Sequence, residues 1–90
     1  MPLNFDKVCR LCMSQENMLF PLFKNEENLH QKVMDIIPDL LLRADDGLPR
    51  QVCSQCLQQV NSSYDFKQHC ENTDTILRKL LLQMQVYNLF

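Results

Sequence analysis

Five cysteines hold most of the chemistry available to this sequence: Cys9, Cys12, Cys53, Cys56 and Cys70. Four of them form two C-x-x-C pairs, "CRLC" and "CSQC". Such a pair can be a redox dithiol, part of a disulfide framework or half of a metal site. An odd cysteine count disfavours closed disulfide pairing. No basic n-region, apolar stretch and cleavage pattern opens the chain, so a secreted, oxidising setting is not expected. A thioredoxin-like dithiol needs one C-x-x-C after a strand in a βαβ unit, and neither pair sits in such a pattern. Tetrahedral zinc takes four ligands, and each knuckle supplies two thiolates from one tight turn. Cys9, Cys12, Cys53 and Cys56 are therefore the expected ligands of one structural Zn²⁺ per chain. Four thiolates close the coordination sphere and leave no position for catalysis. The forty residues between Cys12 and Cys53 exceed the about 15–20 of compact zinc patterns, so the metal closes a large loop.

The remaining candidates are weaker. Cys70 reads as a buried thiol on a helix face, since free cysteine is commonly buried. His69 beside it points about 100° away on a helix, so the two do not share a metal. His30 reads as a surface residue. Arg10, at the tip of the first knuckle, is expected to pair with a local carboxylate such as Asp6. No H-E-x-x-H, phosphate loop or Ser/His/Asp constellation appears, so no enzyme is expected. The net charge is −2 and the nine basic residues are scattered. That is poor material for binding phosphates. Arg10, Arg50 and Lys67 form at most a small basic cluster for weak nucleic-acid contact.

Stepping outward, the elements that must hold the cysteines are mostly helical. Ninety residues with a single Gly and no Trp suit one small helical domain that needs a staple such as a metal. No apolar run reaches membrane-span length, and no membrane contact is expected. "NMLFPLF" (17–23) suits an edge strand or half a hairpin, because Pro21 cannot sit in a central strand. Asn25 or Asn28 caps a helix over about 29–37, with Leu29, Val33, Ile36 and Ile37 on one face and Pro38 ending it. Leu40–Leu42 are expected to plug the core. Asp45, Asp46 and Gly47 make a turn, and Pro49 is placed at the first position of the next helix. That helix runs over about 50–87 without Pro or Gly, and the second knuckle sits at its start, where free N–H groups favour thiolates. Leu57, Val60 and Tyr64 form its core-facing side. Phe66, Cys70, Thr73, Leu77, Leu80, Met84 and Tyr87 step by alternating fours and threes, an a/d seam for a partner helix.

The blocks "CRLC" and "GLPRQVCSQCLQQVNSSYDFKQHC" resemble the zinc-finger-associated domain of insect transcription factors. Cys9, Arg10 and Cys12 match its first block, Leu48, Pro49, Val52, Cys53 and Cys56 its second, and Tyr64, Phe66, Lys67 and Cys70 its third. The resemblance implies four cysteines on one zinc, a treble-clef-like fold and homodimerisation. It also implies a nuclear parent protein with DNA-binding C2H2 fingers beyond this domain, and it makes Cys70 a recurring non-ligand. The expected fold is thus a small zinc-stabilised domain, mainly α with a short β-hairpin, treble-clef-like knuckles and a long C-terminal helix. Residues 1–90 form one unit, with the zinc module over about 7–72. The expected function is a homodimerisation module that brings two sets of downstream fingers together. The alternative is a heterotypic module, for related domains or cofactor proteins, or weak direct nucleic-acid contact. The expected dimer contacts are Leu77, Leu80, Leu81, Met84 and Tyr87, with Leu29, Val33 and Ile36 as a further candidate set.

Overall fold

The computed structural model describes residues 4–24 and 28–88, with side chains to residue 85. A 3₁₀ turn at Phe5–Lys7 leads into the first knuckle. An antiparallel bridge between Val8 and Gln15 closes that knuckle. Inside it, the Cys9 N–H donates to the Ser14 carbonyl at 2.9 Å and the Met13 N–H to the Cys9 carbonyl at 3.0 Å. Met13 completes the reversal with φ 66°, a left-handed conformation that is uncommon outside glycine.

Strand β1 (Leu19–Pro21), helix α1 (Leu29–Ile36), strand β2 (Gln51–Cys53) and helix α2 (Ser54–Asn88) follow in order. The strands pair antiparallel, with Leu19 opposite Cys53, Phe20 opposite Val52 and Pro21 opposite Gln51. Among the described residues the sheet has these two strands, so Pro21 can turn its missing N–H away from the ladder. The antiparallel pair is the expected one, but α1 lies between its strands in sequence and no tight turn joins them. Pairing also draws residues 51–53 into a strand, so α2 starts at Ser54 and Pro49 precedes β2 rather than opening the helix.

Two segments stitch β2 to the rest. The Gln51 amide donates to the carbonyls of Phe5 (2.6 Å) and Val8 (2.7 Å). The Arg10 N–H donates to the Gln51 carbonyl at 2.8 Å. The Leu22 N–H reaches the Arg50 carbonyl, and the His30 N–H reaches the Leu22 carbonyl. Each such bond contributes about 1 kcal/mol net, and together they fix both knuckles relative to α1.

The core is Leu22, Leu29, Val33, Leu42, Val52 and Val60, with Cys9 and Cys53 at its edge. Leu29 and Val33, one turn apart, present one face of α1 to it. Asn28 starts this helix in a left-handed conformation without a side-chain cap bond, and Ile37 ends it; Asn25 lies outside the described residues. Ile37 is 47% exposed, since a residue past the last turn no longer shares the helix face. Leu42 is buried and Leu40 half-buried, whereas Leu41 points outward at 78% exposure. Extended chain alternates its side chains, so three consecutive leucines cannot all face inward.

Helix α2 rests on the core through Leu57 and Val60, with Tyr64 half-buried one turn on. Lys32 reaches it from α1, donating to Asn61 Oδ1 at 3.1 Å and lying 5.3 Å from the Tyr64 ring centroid. Lys67 returns the contact, donating to the Asp35 carbonyl at 2.8 Å near the end of α1. Beyond Lys67, every residue from 68 to 85 is exposed. The molecule measures 73 × 25 × 22 Å, and α2 accounts for the long axis. No helix among the described residues is long and apolar enough to cross a membrane.

Candidate metal centre

The sulfurs of Cys9, Cys12, Cys53 and Cys56 all lie within 4.8 Å of one another. Cys12 Sγ and Cys53 Sγ, from different knuckles, are 3.7 Å apart. An ion about 2.3 Å from each of four tetrahedral sulfurs sets them about 3.8 Å apart. The cluster therefore has the size of a tetrahedral thiolate site, and no disulfide joins any of the four.

Each knuckle holds its first cysteine by a backbone N–H. Leu11 donates to Cys9 Sγ at 3.4 Å, and Cys56 donates to Cys53 Sγ at 3.4 Å. Cys53 immediately precedes α2 and Cys56 is its third residue. The Cys53 sulfur thus satisfies one of the orphan donors of the first helical turn, the task usually given to a serine or aspartate N-cap. One side chain serves as both ligand and cap. Cys9 and Cys53 are 1% exposed, Cys56 is half-buried and Cys12 faces solvent.

The electrostatics call for a cation. Burial first, and then neighbouring thiols, push the Cys56 thiol well above its ordinary value. Burial also raises Cys9. The Cys56 N–H lowers Cys53, and the Ser14 hydroxyl, 3.1 Å from Cys12 Sγ, is the main cause that lowers Cys12 to about 6. Two sulfurs favour the anion and two resist it, so four thiolates cannot assemble without a counter-charge. A divalent, thiophilic ion supplies that charge, and these four residues can hold one zinc. Bound there, zinc supplies a cross-link between the knuckles with no open position.

The other expected sites fare differently. Cys70 and His69 are both exposed and lie outside the cluster. Cys70 is not buried because α2 has already left the core at that point. His30 is half-buried rather than superficial: its ring lies 5.4 Å from that of Phe23, and its Nδ1 is enclosed without a partner. No ion pair joins Arg10 to Asp6; the described ion pairs are Arg43–Asp45 and Arg78–Asp74. The basic residues face different neighbours, Arg50 over the Phe23 ring and Lys67 on the Asp35 carbonyl. Arg10 lines an apolar cleft of about 400 Å³ with Leu11, Cys12, Val33, Ile36 and Val60.

Leu29 and Val33 are 2% and 1% exposed in the chain's own core, which corrects their placement as partner contacts. Ile36 packs beside them, half-buried. Leu77, Leu80, Leu81 and Met84 are 48–61% exposed, and the side chain of Tyr87 lies outside the described residues. Two contributors were not singled out from sequence. Ser14 carries a signal only in hindsight, a hydroxyl two residues past a knuckle. Gln51 carries none, because its bonds go to distant backbone.

No curated protein matches the chain. Residues 8–80 match the family model of the zinc-finger associated domain, zf-AD. This is a family of zinc-finger protein-interaction domains, not of enzymes, and its domains belong to zinc-finger transcription factors, which are generally nuclear. The matched span contains all four cysteines of the cluster just described, and the chain belongs to the zinc-finger associated domain family.

Proposed function

We propose that this domain is a zinc-dependent homodimerisation module of a nuclear DNA-binding transcription or chromatin-architecture factor. The observation that carries the reading is the unpartnered outer part of α2. Leu77, Leu80, Leu81 and Met84 fall within an arc of about 100°, and each is at least 48% exposed. Thr73, Cys70 and Phe66 continue the same stripe toward the core. Full burial of one such side chain contributes about 1.5–3 kcal/mol, and about half of that remains to be gained here. Eight of them across a two-fold axis are of the size that offsets an association cost of about 4–15 kcal/mol. A second copy supplies an identical stripe by symmetry.

The metal acts at a distance from that stripe. It ties the first knuckle to the start of α2 and so fixes where the helix leaves the body. Pairing two chains would bring two sets of C2H2 fingers together and raise their effective concentration at paired sites. Native mass spectrometry before and after a chelator tests both parts. Two chains with two zinc ions, separating on chelation, support the reading. A zinc-loaded monomer would overturn homodimerisation and leave the metal centre intact.

A further inference from the structure

We propose that Cys12 is an oxidant-entry thiol, through which a hydroperoxide links Cys12 to Cys53 and opens the metal centre. The inference rests on the four-thiol zinc reading and concerns what that site does next.

The four sulfurs are not equivalent. Cys9 and Cys53 are enclosed and each accepts a backbone N–H. Cys56 is half-buried at the first turn of α2. Cys12 alone faces solvent. It opens onto two clefts, one shared with Arg10 and one lined by Gln55, Gln58 and Ser62, and Cys56 borders both from a half-buried position. A small neutral oxidant therefore meets Cys12, the most exposed of the four, first. The Ser14 hydroxyl at 3.1 Å supports the thiolate. The Cys53 sulfur waits 3.7 Å away on the other knuckle, so a resolving thiol is already in place.

The steps balance with hydrogen peroxide as oxidant. The Cys12 thiolate attacks one oxygen, the O–O bond breaks and hydroxide leaves to become water. Sulfur loses two electrons and becomes a sulfenic acid. The Cys53 thiolate then attacks that sulfur, the S–S bond forms, the S–O bond breaks, and the departing hydroxide takes a proton as a second water. Two of the four donors are then spent, and the two that remain cannot hold a structural ion. Because Cys53 also caps α2, the same event weakens the cap and exchanges the four-sulfur metal cross-link for a single disulfide between the knuckles.

The test uses the full chain as Cys70→Ser, which removes the exposed bystander thiol and leaves all four ligands. Zinc content is measured first, and hydrogen peroxide is then added beside a chromogenic chelator, with peptide mapping of the product. The expected result is release of one zinc per chain, a mass lower by two hydrogens, a Cys12–Cys53 bridge, and reversal by a thiol reductant with added zinc. Zinc retained in full under peroxide that oxidises free cysteine overturns the proposal, as does a bridge lacking Cys12 or pairing it elsewhere. A chain without zinc before peroxide is added overturns the metal reading itself, so the two failures are distinguishable.

Discussion

At the scale of single residues, the four ligands differ in what their loss removes. Cys53→Ala takes away a donor and removes the cap on α2, so it should abolish zinc retention and lower the melting temperature more than Cys12→Ala; metal analysis and thermal unfolding would check both. Proton competition sets the pH behaviour. Cys12 and Cys53 are lowered, so without metal their contribution is present above the ordinary thiol value and is lost as pH falls through the folded value, about 6 for Cys12. Cys9 and Cys56 are raised, so theirs is present below the ordinary value and is lost as pH rises. Zinc removes the second limb, because it holds all four as thiolates, and leaves acid as the release condition. Zinc retention measured against pH should therefore fall on the acid side only. The ligands were legible from sequence because only cysteines at knuckle spacing could supply them. Ser14 was not, because one hydroxyl among many carries no spacing signal, and its effect depends on a turn completed by Met13.

At the scale of elements, the body is a clasp between α1 and α2. Leu22 is wholly enclosed, and Leu22→Ala should cost about 2–5 kcal/mol in chemical denaturation of the zinc-loaded protein. Lys67→Met removes the bond to the Asp35 carbonyl while keeping the stem, and should cost about 1 kcal/mol by the same measurement. The long helix was readable because neither Gly nor Pro interrupts residues 54–88. Its start was misplaced because "QVC" is too short to show strand alternation. Its partner strand lies across α1, a contact that no local pattern encodes. Residue type predicts a buried Cys70, since free cysteine commonly is, yet neither residue type nor periodicity records what covers a helix face.

At the scale of the molecule, a small body carries a rod whose outer apolar stripe has no counterpart among the described residues. Leu77→Asp combined with Leu80→Asp should convert a dimer to a monomer without altering zinc content or helicity, as sedimentation, metal analysis and circular dichroism would report. The rod also has a rotational phase. Helix α2 runs unbroken from its capped start, so the compass bearing of the stripe relative to the body is set by residue count alone. One alanine inserted after Glu71 would swing everything beyond it by about 100°, whereas seven would return it to within about 20° and move it outward by about 10 Å. Residues in the middle of α2, whose side-chain bonds stay within the helix, thus keep time between the metal and the stripe. Their number, more than their identity, is what the arrangement constrains.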